Sequence, residues 1–462
     1  MSATANVDKV LAHVDADFDA SLERLFALLR IKSISADPAF AADCKAAADH
    51  LAQDATTIGF TSKVLPTAGH PAVVAHNVQG GRPHVMFYGH YDVQPVDPLS
   101  LWHRPPFEPV VAEHADGRKI IVARGAEDDK GQLMTFVEAC RAWKTVTGSL
   151  PLDVTLLLEG EEEVGSKNFV PFIREHKDEL KADYTLICDT GMWDPDTPAI
   201  TTALRGLVYD EVIITAANRD LHSGSYGGAA QNPIRVLTRI LGALHDDDGR
   251  VTIPGFYDGV RDLPPDIYAQ WKALDLSPEK FLGPIGLSEP AGEKGRMVIE
   301  QISSRPTCDV NGIVGGYIGE GSKTVIPSHA SAKVSFRLVA GQDPQKIRDG
   351  FRAFVRARLP KDCKVEFLDH SGAPAVALDL TMKPLAAARR ALTEEWGKDA
   401  LLIAAGGSIP IVADFKRTLG LDSVLIGFGL DDDNIHSPNE KYDLKSYHKG
   451  IRSWVRILAA LA

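Results

Sequence analysis

Cysteine is scarce in this chain: Cys44, Cys140, Cys188, Cys308 and Cys363 are an odd number, widely scattered, with no Cys-x-x-Cys pair among 462 residues. That pattern argues against a disulfide framework and a thiolate metal centre, and fits a reducing cytoplasm. No apolar run approaches the roughly 18 residues of a membrane span. No cluster of Lys and Arg could neutralise a phosphate backbone, and 50 basic against 62 acidic residues leave a net charge of −12, so nucleic acid is not an expected partner. A secretory leader is not expected either. The first 31 residues carry Asp8, Asp15, Asp17, Asp19 and Glu23, where a leader needs a basic start and an uninterrupted apolar stretch. They read as an amphipathic helix of a soluble, cytoplasmic protein. No internal repeat or low-complexity tract is present.

What is there is an ordinary globular composition, 44% hydrophobic and 24% charged, in a chain too long for one hydrophobic core. Two domains are therefore expected. Four short apolar runs, 85–88, 154–158, 184–187 and 423–428, lack the strict alternation of half-exposed strands and read as buried strands of an α/β sheet. A helical pattern over 130–146, with Leu133, Phe136, Val137, Cys140 and Trp143 on one side, lies between two of them, as in a doubly wound sheet. From about Gly206 the pattern changes: strands at 207–215, 330–339 and 365–368, helices at 232–244 and 344–359. Ala332, Val334, Phe336 and Leu338 alternate inward on the second of these strands. This stretch predicts a smaller α+β unit of the split βαβ, ferredoxin-like kind. The Pro- and Gly-rich segment 246–305 reads as loop with short helices. The sheet pattern resumes near Pro384, so the expected division is 1–205 with 383–462 around an inserted domain at 206–382.

Each of the four runs is followed at once by acidic or histidine residues: Gly89-His90-Tyr91-Asp92, Glu159 through Glu163, Asp189, and Asn434-Ile435-His436-Ser437. Ligand sites of open α/β sheets lie beyond the carboxyl ends of the strands, which lets these distant positions be read together. Arg124 through Gly131, with Asp128 and Asp129, stands just ahead of a helix and adds a further carboxylate. Imidazole and carboxylate without thiolate suit zinc, manganese or cobalt. Five such ligands are too many for one tetrahedral ion, but two ions sharing a carboxylate would use them all. A neighbouring carboxylate not spent on metal would serve as general base.

Taken singly, these signals are weak. A His-x-Asp pair is more often a surface or capping pair, a run of three glutamates more often a solvated loop or helix start, and Asp189 equally well a turn residue. Their joint placement after four strands shifts the balance.

The strings Gly89-His90-Tyr91-Asp92-Val93-Gln94-Pro95, Arg124-Gly125 through Asp128-Asp129-Lys130-Gly131, Glu161-Glu162-Glu163-Val164-Gly165-Ser166, Asp220-Leu221-His222-Ser223-Gly224, Gly406-Gly407-Ser408-Ile409-Pro410 and Asn434 through Glu440 resemble the dinuclear metallopeptidases that include carboxypeptidase G, aminoacylase, succinyl-diaminopimelate desuccinylase and the carnosinase-type dipeptidases. The resemblance spans nearly the whole chain and is strongest to the carnosinase-type branch. It implies a zinc-exopeptidase-like catalytic domain with a central, mostly parallel sheet and an inserted dimerisation and lid domain. By this resemblance His90 and Asp189 hold one metal and Glu163 and His436 the other, with Asp128 between them. Val164-Gly165-Ser166 sets the register in which Glu162 is the general base and Glu163 the ligand. The resemblance also implies that Asp92 hydrogen-bonds the far nitrogen of His90, that the Asp128–Asp129 peptide is cis, and that His222 acts in the partner subunit's site of a homodimer. Arg337 becomes a clamp for the substrate's terminal carboxylate, with Ser408, Asn311 and Thr324 as further substrate contacts. The expectation is a hydrolase of dipeptides or similar small peptides with two divalent ions per subunit, zinc foremost. A deacylase of N-acyl or N-succinyl amino acids with the same metal site is the first alternative. A non-catalytic dimeric binding protein is the alternative of a different class.

Overall fold

A computed structural model describes residues 6–407 and 409–462, with the side chain at 371 set aside; Ser408 lies outside the described residues. The chain divides into two compact units, one formed by residues up to Thr202 with Leu378–Ile403 and Ile411–Ala462, the other by Ala203–Ala377 with Ala404–Pro410.

The first unit is built on a mixed sheet whose strands run in the order Thr61–Leu65, Ala72–Asn77, Asp153–Glu159, His84–His90, Tyr184–Ile187, Ser423–Ile426 and Ala199–Leu204. The central four are mutually parallel, and the outer pairings are antiparallel. The expected parallel sheet is thus its centre. Asp153–Glu159, Tyr184–Ile187 and Ser423–Ile426 are buried at every position, because parallel strands are covered on both faces. Successive residues of a strand face opposite ways. Phe87 stacks on Phe136 at 3.9 Å, beneath the helices Lys130–Thr147 and Leu444–Leu461, whereas Tyr88 meets Phe415 at 5.3 Å on the other face. The amino-terminal helix is two helices, Val7–Ala16 and Phe18–Leu29, parted at Asp17, whose carboxylate accepts a hydrogen bond from Arg24 Nη2 at 2.6 Å.

In the second unit Gly206–Thr215, Pro233–Leu241, Thr307–Gly315, His329–Leu338, Pro344–Arg356 and Lys364–Ala373 follow one another as β-α-β-β-α-β. The sheet order is Thr307–Gly315, His329–Leu338, Gly206–Thr215, Lys364–Ala373, antiparallel throughout. This is the predicted split βαβ arrangement. Ala332, Val334, Phe336 and Leu338 alternate into a core shared with Leu237, Ile240, Phe351 and Phe354. Within 246–305 the described structure is more ordered than its composition suggests. It holds the helices Pro265–Ala273, Pro278–Leu282 and Val298–Ser303, with Trp271 buried and a buried Arg305–Glu293 pair at 2.9 Å.

Candidate active site

Parallel pairing aligns the carboxyl ends of the four central strands, and their trailing residues meet there. His90 is the last residue of its strand and fully buried. Glu162 and Glu163 open a single helical turn, Glu162–Val164, just after Glu159. Asp189 follows Ile187 by two residues. His436 sits in the loop after Ser423–Ile426 with φ 59°.

These side chains form two triads that share one carboxylate. Donor atoms of His90, Asp128 and Asp189 lie within 4.8 Å of one another, and so do those of Asp128, Glu163 and His436. Asp128 faces one histidine with each oxygen: Oδ1 is 3.1 Å from His90 Nε2 and Oδ2 is 2.9 Å from His436 Nε2. His436 Nε2 also lies 3.1 Å from Glu163 Oε2. The peptide between Asp128 and Asp129 is cis, as the family resemblance implies. Another cluster, His114, Asp116 and Asp432, has comparable spacing, but Arg118 pairs with both of its carboxylates and supplies the positive charge there.

Around the triads, Asp92 is fully buried and does more than face His90. Its carbonyl oxygen is 3.1 Å from His90 Nδ1 and its Oδ1 3.3 Å, so the carbonyl is the nearer acceptor. The carboxylate itself accepts the backbone N–H of Glu162 at 3.2 Å and of Glu163 at 3.1 Å. One residue therefore orients the histidine and anchors the glutamate turn. Gln94 Nε2 donates to Glu163 Oε2 at 2.7 Å. Asp129 Oδ2 accepts from the His90 N–H at 3.1 Å. Gly89 has no side chain because a Cβ there would come within 2.9 Å of the same oxygen.

Burial dominates the electrostatics. It pushes Glu162 up to about 7, opposed by His90 and reinforced by Asp128, Asp92 and Glu163, and it raises Asp189. Asp128 is the exception: burial would raise it, but hydrogen bonds from His436 and His90 hold it below the usual carboxylate range. His436 is pushed up to about 10 by its bonds to Asp128 and Glu163. Confined carboxylates with so little compensating charge are costly unless a cation joins them. The donor set of imidazole and carboxylate oxygens suits a borderline or hard divalent ion.

The other expected substrate residues belong to the second unit. His222 is exposed and caps the short helix Ser223–Tyr226. Its Nδ1 accepts the Gly224 N–H at 3.0 Å, which leaves the neutral ring's proton on Nε2. Thr324 precedes Val325, the residue opposite His222 in the Leu221–His222 ladder, and its carbonyl accepts the Ser223 N–H at 3.1 Å. Asn311 lies at a bulge of the edge strand Thr307–Gly315. Arg337 stands opposite Leu207 and Thr307, near a residue that sequence reasoning passed over. Arg205 donates Nε–H to the Gly406 carbonyl at 3.1 Å, and its buried Nη1 has no protein partner. Burial and then the charge of Arg337 lower its proton affinity, with Asp309 partly offsetting them. The available signal was an arginine interrupting the apolar stretch 199–204 and 206–208.

Residues 86–460 match the model of the peptidase family M20/M25/M40. The chain belongs to that family. It is 31% identical to the Cys-Gly metallodipeptidase of Candida albicans over 454 residues, 94% of this chain and 92% of the relative. To the human Beta-Ala-His dipeptidase it is 29% identical, over 82% of this chain and 75% of the relative. Among solved structures, human carnosine dipeptidase 1 superposes with a TM-score of 0.80 at 26% identity, covering 99% of this chain and 98% of the other. An M20 metallo-carboxypeptidase of Sulfolobus solfataricus gives 0.81 at 32% identity, covering 96% and 99%. The M20 fold, an α/β sheet unit with a second α+β unit, and the likeness to carnosinase-type dipeptidases agree with the motifs read above. Membership implies divalent metal, and the two triads are where this chain could hold it.

Proposed function

We propose that this member of the M20 family is a metallo-dipeptidase that cleaves the amide bond of dipeptides or similar small substrates with a free carboxylate. One observation carries the reading: two triads share Asp128 beside the half-buried carboxylate of Glu162, in a chain whose curated relatives are named as dipeptidases. Two divalent ions, zinc before manganese or cobalt, would be held by His90, Asp128 and Asp189 and by Asp128, Glu163 and His436. When bound, such ions polarise a carbonyl and acidify water. The chain's own part is proton traffic and orientation. Glu162 takes the proton of the attacking water and delivers it to the leaving amine nitrogen. Asp92 keeps the Glu162–Val164 turn and the His90 ring in register. Arg337, with Arg205, holds the substrate's carboxylate through guanidinium hydrogen bonds, and Asn311, Thr324 and Ser408 complete the substrate contacts.

His222 serves the partner subunit's site, its Nε2–H stabilising the oxyanion. This requires a homodimer formed through the inserted domain, 206–382. Support for such an interface comes from the edge strand Thr307–Gly315, where Val310, Ile313 and Val314 are 42%, 56% and 62% exposed. A long apolar sheet edge favours pairing with another chain. All five cysteines are free and buried, in keeping with a cytoplasmic setting. None of the described helices is long and apolar enough to cross a membrane.

The test is hydrolysis of a panel of dipeptides and N-acyl amino acids by protein stripped of metal and then given zinc, manganese or cobalt separately. Metal-restored cleavage of dipeptides is expected. Cleavage of acylated amino acids alone would make the protein a deacylase.

A further inference from the structure

Glu440 is fully buried, belongs to none of the triads, and is the most heavily used acceptor around them. Its Oε2 accepts from Arg124 Nη1 at 2.7 Å and from the Gly125 N–H at 2.8 Å. Its Oε1 accepts from the backbone N–H of Glu127 at 3.0 Å and of Asp128 at 3.1 Å. Its carbonyl accepts from the Ala123 N–H at 3.3 Å. One residue thus gathers the whole turn from Ala123 to Asp128, the residue common to both triads. Arg124 in turn is 1% exposed and donates its Nη2 to the Pro95 carbonyl at 3.0 Å, so the carboxylate also reaches the loop after His90.

Glu440 itself stands four residues after His436. The intervening loop is under conformational constraint, with Asn434, His436 and Asn439 all in the left-handed region at φ 55°, 59° and 64°. Non-glycine residues hold that conformation only where their surroundings enforce it. Asn439 does so from one side, accepting from the His103 N–H at 2.7 Å and donating to the Leu101 carbonyl at 2.9 Å. Glu440 does so from the other, since its bonds fasten the end of the His436 loop to the Asp128 turn. Residues that orient metal ligands in this way typically change affinity about 10- to 100-fold when replaced.

We propose that Glu440 is a positioning residue that sets His436 against Asp128, so that the triad of Asp128, Glu163 and His436 depends on it more than the triad of His90, Asp128 and Asp189. The inference rests on the reading of both triads as cation sites. A carboxylate is required because four N–H donors converge on its two oxygens. An amide presents one acceptor and points its own donors at the N–H groups. An aspartate keeps the charge but falls a methylene short.

The experiment measures Zn²⁺ binding to metal-stripped full-length protein, by competition with a chromophoric chelator, for the native chain, Glu440→Gln and Glu440→Asp. Melting of the metal-free proteins and the visible spectrum of Co²⁺-loaded protein accompany it. The native chain is expected to take up two ions. In both variants one of the two ions should lose roughly 10- to 100-fold in affinity while the other changes by less than about threefold, and the cobalt spectrum should change. A merely structural Glu440 would lower the melting temperature and leave the two affinities in their native ratio, and that result overturns the proposal. So does native affinity in a folded Glu440→Asp, which would show that charge without reach suffices. A native chain that binds no zinc overturns the cation reading itself, a failure recognisable without either variant.

Discussion

At the carboxyl edge of the first unit's sheet, Asp92, Asp128, Glu162, Glu163 and Asp189 gather around two histidines. In the second unit, burial and then the nearby charge of Arg337 lower the proton affinity of Arg205, which keeps a buried N–H without a protein partner. The two regions concentrate charge of opposite sign. Folding alone does not reward either arrangement, since a buried group without its counter-charge costs stability. By the charge they concentrate, the first region suits cations and the second an anion.

The comparison breaks first at its anionic side. Removal of metal by a chelator, or Asp128→Ala, should abolish dipeptide cleavage and, for the variant, retention of both ions. Glu162→Ala should cost about 10²- to 10⁴-fold in kcat or more while leaving metal content unchanged, because it removes proton transfer and no ligand. Kinetics paired with metal analysis on one preparation decide this. Full activity of Glu162→Ala, or activity indifferent to chelator, rules the mechanism out.

His222→Ala comes next, with a loss of about 10²- to 10³-fold in kcat, the usual worth of one oxyanion donor. The sharper form mixes Glu162→Ala subunits with His222→Ala subunits. If His222 acts in the partner's site, a mixed dimer pairs one intact Glu162 with an intact His222 and regains activity. Verified mixed dimers that stay inactive would return His222 to its helix-capping role.

How far the sequence shows these two regions differs for a physical reason. The cluster of histidines and carboxylates was legible because parallel strands carry such residues at their ends, and a run such as 154–158 followed by Glu161, Glu162 and Glu163 is visible in one dimension. The ferredoxin-like unit was legible from period-two alternation in Ala332, Val334, Phe336 and Leu338. The edge strand Thr61–Leu65 escaped because it is half-exposed and too short to show a pattern. Trp271 and the Arg305–Glu293 pair give 246–305 a packed interior that its Pro and Gly content hid. Arg205 and Glu440 escaped for a different reason. Their importance lies in contacts 201 and 312 to 316 residues away along the chain, and no local pattern reports those.

On the cationic side, Arg337→Ala should raise KM for dipeptides by about 10- to 100-fold, the worth of a hydrogen bond between charged groups, with kcat less affected. Dipeptide amides, which lack the carboxylate, should be cleaved equally poorly by the native chain and the variant. An unchanged ratio of dipeptide to amide would remove Arg337 from the carboxylate site.

The smallest effect is the most diagnostic of the contrast itself. Arg205→Met keeps much of the side chain's volume and removes its charge. Because the guanidinium stays protonated at neutral pH and its Nη1 is buried without a partner, the charge should burden the free protein. The variant should therefore unfold at equal or higher denaturant concentration, with a gain of about 1 kcal/mol, while its KM for dipeptides rises. A ligand that fills the anion site should then stabilise the native chain more than the variant, since only the native chain has a charge to satisfy. A variant that is both less stable and unchanged in KM would mean that Arg205 is a structural brace for the Gly406 carbonyl, and the cationic half of the comparison would rest on Arg337 alone.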